Sequence, residues 1–151
     1  MTDVLFYVLA ASTAHEQSLF LCRLTEKILS QGKTAYIHTR GPEQAKALDD
    51  LLWTWRPHAF VPHALIDSPD TPDSCPVWIG WQDTTHDRGP VSQPDVMINL
   101  SDRLPAFFSR FERLVEIVIQ DDQVLDETRQ HYRYLKDRGY PVTHQDMRLR
   151  A

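Results

Sequence analysis

The sequence has 151 residues, of which 42% are hydrophobic and 25% are charged, and its formal net charge is −5. This length and composition predict one globular domain, residues 1–151, with its own hydrophobic core, and exclude disorder, collagen-like repeats and a coiled coil as the main state. Since there is no run of 18 apolar residues and no basic, apolar leader, we expect a cytoplasmic protein that does not contact a membrane.

The charge is unevenly distributed along the chain. Residues 129–151 hold six basic and two acidic side chains, whereas the preceding 128 residues hold 10 basic and 19 acidic ones. Lysine and arginine contacts to phosphates supply most non-specific affinity for nucleic acid, so an acidic surface of this extent predicts that the chain repels duplex DNA over most of its surface. A local basic site for an acidic ligand stays open.

Apolar strand-like runs alternate with helical patterns, which is typical of an α/β domain with a mostly parallel sheet. Four to five strands are predicted, with helices on both faces. The predicted strands are 4–9, 34–39, 76–81, 95–100 and 116–119. The predicted helices are about 14–31, a second one that begins at Pro42 and carries Ala45, Leu48 and Leu52 on one face, 105–113, and about 122–138.

Capping residues set the ends of two of these helices. Thr13 and Glu16 have the spacing of a capping box at the start of the first helix. Gly32 and Gly139 follow the first and last helices, where glycine is the usual C-terminal stop.

Signatures of catalysis and of cofactor binding are missing from the sequence. Gly32-Lys33-Thr34 resembles the end of a phosphate-binding loop, but it follows a helix and enters a strand, which is the reverse of the required context. His58 and His63 are too few ligands for a predicted metal site, and Cys22 lies among the apolar residues of a helix. We therefore expect no cofactor, no metal and no catalytic residue.

The segment 53–62 is a first candidate binding surface. It leaves the second helix with Trp53, Trp55 and Phe60, two prolines and Arg56. These aromatic side chains either fill a core of their own or form an interface, and tryptophan and arginine are enriched at interface hot spots.

The last helix is a second candidate. At 100° per residue, Tyr132, Arg133 and Lys136 fall within about 60° of Arg129, whereas a core-facing stripe falls at about 200–240°. That stripe consists of Val124, His131 and Leu135. The basic face is either solvated, with Asp126 pairing with Arg129, or it is a receptor for a carboxylate that carries an apolar ring.

Several segments, in this order and spacing, resemble the chi subunit family of the bacterial DNA polymerase III holoenzyme. They are Phe6-Tyr7-Val8-Leu9, Leu48-Asp49-Asp50-Leu51-Leu52-Trp53, Phe60-Val61-Pro62-His63, Pro76-Val77-Trp78-Ile79, Asp95-Val96-Met97-Ile98-Asn99-Leu100 and Arg129-Gln130-His131-Tyr132-Arg133. The resemblance extends over nearly the whole chain and implies a Rossmann-like α/β fold without catalysis.

The resemblance also implies two partners. One is the psi subunit, which connects chi to the clamp-loader complex, and the other is the acidic C-terminal tail of the single-stranded-DNA-binding protein. The residues that match the psi-facing region are Trp53, Phe60, Val61 and Pro62; those that match the tail site are Arg129, Tyr132, Arg133 and Lys136. Leu125 stands where the family can carry a further basic residue, and Trp55 is an additional aromatic.

A different class of function stays open at this point. A small cytoplasmic Rossmann-like enzyme would bind an acidic metabolite between Arg129, Arg133 and the ends of the strands. Binding of nucleotides rather than of an acidic peptide would distinguish it from an adaptor.

Overall fold

The computed structural model describes residues 1–55, 62–65, 75–81 and 95–148. The strands within these ranges are β1 (Asp3–Val8), β2 (Ala35–His38), β3 (Ala64–Leu65), β4 (Val77–Gly80), β5 (Val96–Asn99), β6 (Arg113–Val118) and β7 (Val142–Asp146). The α-helices are α1 (Ala14–Ser30), α2 (Pro42–Thr54) and α3 (Asp122–Asp137), and a 3-10 helix spans Phe108–Arg110. The predicted α/β class is confirmed, with more strands than the four to five predicted.

The seven described strands form one parallel sheet in the order β3-β4-β2-β5-β6-β1-β7. Central strands β2, β4 and β5 are buried along their whole length, as expected for a parallel sheet covered on both faces. The two edges differ, since β3 has two residues and β7 is half exposed. None of the described helices has the length and apolar character needed to cross a membrane.

The core has two parts, one on each face of the sheet. Helices α1 and α2 cover an aliphatic layer that includes Leu21, Leu48, Leu52, Ile37, Ile79 and Ile98. Helix α3 covers an aromatic layer that includes Phe6, Tyr36, Trp78, Phe108, Phe111 and Leu135. Cys22 is buried in the aliphatic layer, as predicted, and burial raises the pKa of its thiol to about 12.

The predicted helix ends are confirmed. The Thr13 hydroxyl accepts a hydrogen bond from the Glu16 amide at 3.2 Å and so caps α1. Gly32 and Gly139 adopt φ of 75° and 82°, the left-handed conformation of a helix stop. After α3, the Tyr140 amide donates to the carbonyl of Leu135 at 3.1 Å and completes the turn.

The predicted helix 105–113 is wrong. Phe108 and Phe111 have a helical spacing, yet the chain forms only a 3-10 turn there and both rings are buried in the aromatic layer. Strand β6 then begins at Arg113, three residues before its predicted start, because it pairs with β1 from Asp3 onwards. Tertiary packing has overridden the local pattern.

Candidate functional site

A concave pocket of about 660 Å³ lies between α3 and the edge strand β7, and we call it the α3 pocket. Its lining residues are Thr128, Arg129, Tyr132, Arg133, Lys136, Asp137 and His144. The four residues predicted for tail binding therefore lie together in one pocket. Thr128, Asp137 and His144 were not predicted.

Burial of the opposite helix face turns these residues outward. The Asp121 carboxylate caps α3 by accepting from the Val124 amide at 3.1 Å. His131 and Leu135 are buried, and Val124 packs against the core. The core-facing stripe predicted from the helical angles is thus confirmed, and the cationic face follows from it.

A network of hydrogen bonds also connects α3 to the sheet, near the carboxyl ends of β5 and β6. His131 Nδ1 lies 2.8 Å from Glu116 Oε2, and His131 Nε2 lies 2.8 Å from the Asp102 carbonyl oxygen. The Asn99 amide donates to the same carboxylate oxygen at 3.1 Å. Burial alone would lower the pKa of His131, but the hydrogen bond and charge of Glu116, the Asp102 carbonyl and the charge of Glu127 together raise it.

Tyr132 forms the apolar wall of the α3 pocket. The sequence interpretation placed this tyrosine on an exposed face, but the side chain is half-buried because it packs against the aromatic layer. Its ring centroid lies 6.3 Å from that of Phe6 and 5.3 Å from that of His144. The Lys136 ammonium lies 5.9 Å from the Tyr132 ring centroid, within the range of a cation–π contact.

The cations of the pocket are exposed, and two of them have no side-chain partner among the described residues. Arg129 and Arg133 form no ion pair or hydrogen bond through their side chains within the described part of the chain. The Asp126 to Arg129 pair, which belonged to the alternative of a solvated face, is not formed there, since the Asp126 carboxylate accepts from the Gln130 side-chain amide at 3.0 Å. Two guanidinium groups are therefore available to an external carboxylate.

Leu125 packs against the aromatic layer one turn before Arg129. A lysine or arginine at this position could keep its apolar stem on that layer and extend its charged head to solvent, whereas leucine offers only the apolar contact. The leucine thus contributes to helix packing rather than to the charge of the pocket.

The other predicted surface is only partly described. Trp53, in the last turn of α2, is 49% exposed, and its ring centroid lies 4.4 Å from that of His63. Pro62 is half-buried, whereas Phe60 and Val61 lie outside the described residues. Trp55, the additional aromatic, packs against the aliphatic layer.

His63, whose ring contacts that of Trp53, is itself buried. Its side chain is 0% exposed, and its Nε2 lies 3.0 Å from Asp49 Oδ1. His58, the other histidine of this segment, lies outside the described residues. No cluster of three or more metal-ligating side chains occurs in the ranges that the structure describes.

The sequence was compared with models of known protein families, and a family matches it. The model of the family described as DNA polymerase III chi subunit, HolC, matches residues 1–143. The chain belongs to the DNA polymerase III chi subunit family. Its members are replication accessory subunits.

Three relatives named DNA polymerase III subunit chi match almost from end to end. The one from Pseudomonas aeruginosa is 33% identical over 99% of this chain and 98% of its own length. Those from Haemophilus influenzae and Escherichia coli are 28% and 27% identical, over 91% and 93% of this chain and 92% and 95% of theirs. The chi family match includes the helical residues of the α3 pocket and ends one residue before His144.

Proposed function

We propose that the chain, folded as one domain over residues 1–151, is a non-catalytic adaptor of the DNA polymerase III clamp-loader assembly. One surface binds the psi subunit, and another binds the acidic C-terminal tail of the single-stranded-DNA-binding protein. Family membership supports the assembly, and one observation carries the tail site: two exposed guanidinium groups and a lysine surround a tyrosine wall in a single pocket. The contact with nucleic acid is indirect, through the bound tail.

The chemistry of the α3 pocket matches the chemistry of such a tail. A chain end with an apolar side chain needs a cation for its α-carboxylate and an apolar wall for its ring. Arg129 and Tyr132 are assigned these roles, while Arg133 and Lys136 face the acidic residues upstream. Arginine is well suited to the first role because its planar fork holds a carboxylate with two parallel hydrogen bonds.

The sheet separates the two proposed surfaces. The Trp53 ring packs at a tilt against His63, which directly precedes edge strand β3, and the α3 pocket lies at the opposite edge strand, β7. Six steps between neighbouring strands, at about 4.8 Å each, place these edges roughly 29 Å apart. Two partners can therefore bind at the same time, which is what an adaptor requires.

An enzyme acting on an acidic metabolite fits this pocket poorly. Ligands of open parallel sheets bind beyond the carboxyl ends of the strands. The described lining of the α3 pocket consists of one flank of α3 and a mid-strand residue of β7, with no residue from the carboxyl ends of β2, β4 or β5.

A crossed pair of variants tests the proposal, each serving as the control for the other. Calorimetry measures binding of an acidic peptide that ends in phenylalanine with a free carboxylate, and co-purification measures psi binding. Arg129→Ala should weaken the peptide about ten- to a hundredfold and leave psi unchanged, since a charge-assisted hydrogen bond contributes about 1.5–3 kcal/mol.

Trp53→Ala should do the reverse, because truncation of an aromatic hot spot costs about 2 kcal/mol or more of binding. Thermal melting of both variants should stay close to that of the unmodified chain, since Arg129 is exposed and about half of Trp53 is exposed. Equal peptide affinity for all three proteins would show that the basic face is only solvated. Unfolding of Trp53→Ala would show that this ring belongs to the core.

A further inference from the structure

Strand β7 is an open edge of the sheet, directly beside the α3 pocket. Among the described strands its one neighbour is β1, with which it pairs over Val142–Asp146. An edge strand presents a row of N–H and C=O groups to whatever lies beside it, and a further strand can pair with them. The α3 pocket therefore borders a site for main-chain hydrogen bonds as well as for side chains.

Two hydrogen bonds fix which residues of β7 face outward. At one end the Val4 amide donates to the Pro141 carbonyl at 2.9 Å, and at the other the Met147 amide donates to the Val8 carbonyl at 2.8 Å. Since successive residues of a strand direct their N–H and C=O groups to opposite sides, the odd-numbered residues of β7 pair with β1. The amides and carbonyls of the even-numbered residues point away from the sheet and have no hydrogen-bonding partner among the described residues. These outward residues are Val142, His144 and Asp146.

The cations of α3 set the direction of a chain that lies along this edge. Helix α3 connects β6 to β7, which both pair in parallel with β1, so the helix runs opposite to these strands. Lys136, in its last turn, is therefore near the start of β7, and Arg129 is further towards the end of that strand. These two residues are seven positions apart, which is roughly 10 Å along a helix or about three residues of an extended strand. With its α-carboxylate at Arg129, a tail brings its upstream acids to Arg133 and Lys136 when it runs parallel to β7.

We propose that the acidic tail binds as an additional parallel strand on the open edge of β7, an inference that rests on the proposed function of the α3 pocket. Alternate amides and carbonyls of the tail pair with the outward groups of β7, and its side chains on the α3 face contact Tyr132 and the cations. Main-chain pairing of this kind supplies affinity, and the side-chain pocket supplies specificity. Three arginine or lysine residues against one acid, Asp137, in the described lining favour an acidic strand.

Amide hydrogen exchange, measured by NMR on the full chain, distinguishes main-chain pairing from contacts of side chains alone. The probe is an acidic peptide that ends in phenylalanine with a free carboxylate, at ten times its measured Kd. Exchange of the outward amides should slow about tenfold, the factor by which this excess reduces the free chain. The His15 amide is the control and should keep its rate, because it lies in the first turn of α1, where amides lack an intrahelical partner.

A set of peptides with single esters in place of amides tests the same pairing from the side of the tail. Each ester removes one N–H donor and keeps every side chain. Affinity measured by calorimetry should fall roughly two- to tenfold at every second position and stay unchanged at the positions between, since a hydrogen bond of ordinary strength changes affinity by this factor.

Slower exchange of the outward amides together with a two-residue period in the ester series supports the added strand. Peptide binding that Arg129→Ala weakens, but that leaves the outward amides at their free rates or shows no alternation among the esters, overturns this inference and leaves the proposed function intact. Absence of peptide binding overturns both.

Discussion

Replacing Glu116 with glutamine should reverse the pH dependence that His131 gives to stability. The two side chains are 7% and 8% exposed, and the carboxylate is the main reason why the pKa of His131 is raised in spite of burial. A pKa that is raised in the folded state stabilises the protein fully below the unfolded value, about pH 6.5, and this contribution is lost as pH rises through the folded pKa.

In Glu116→Gln the same histidine stays buried without its carboxylate. Burial then dominates and lowers the pKa, so the contribution of His131 is present above about pH 6.5 and is lost as pH falls. The cost of the substitution should be greatest at pH 6, at about 1.5–3 kcal/mol for a hydrogen bond to a charged group, and it should shrink towards pH 9.

Urea unfolding followed by tryptophan fluorescence at pH 6, 7, 8 and 9 measures this difference. Glu112→Gln removes an exposed carboxylate one residue before β6 begins and serves as the control with an unchanged profile. A cost of Glu116→Gln that is the same at every pH would refute the argument, since it would show that His131 is not charged in the folded state.

Two further predictions concern the fold. Gly139→Ala should destabilise the chain by about 1–2 kcal/mol in a urea titration, because φ at this position is 82°. An added Cβ meets nothing within 4 Å, so the cost is that of the backbone conformation alone. Gly41→Ala is the control and should cost much less, because Gly41 lies in extended backbone and is equally open. Burial raises the pKa of the Cys22 thiol to about 12, so Cys22 should react with a thiol reagent at pH 8 only in denaturant. The half-buried Cys75 should react first in the folded protein. Equal reaction rates of the two thiols in the folded protein would contradict the burial of Cys22.

The α3 pocket was predictable on its helical side because helical periodicity is strong where a helix buries one face. His131 and Leu135 mark the buried stripe, and the positions of Arg129 and Arg133 follow from them. The partial burial of the Tyr132 side chain was not predictable, because it depends on contacts with Phe6 of β1 and His144 of β7.

The opposite wall of the pocket was missed together with its strand. β7 contains Thr143, His144 and Gln145, lies at an edge and is half exposed, so it lacks the apolar run that marked the central strands. The buried pair of Glu116 and His131 was missed for a related reason. The two residues lie 15 positions apart, and only the packing of α3 against β6 brings them together.

The central claim is tested most directly by measuring whether the chain captures the tail while it is already bound to psi. The psi subunit is immobilised, the chain is loaded on it, and the acidic peptide is then added. We predict one peptide bound per chain, with peptide capture lost in Arg129→Ala while that variant stays on psi. Displacement of the chain from psi by the peptide, or equal capture by Arg129→Ala, would contradict the account of two separate surfaces at opposite edges of the sheet.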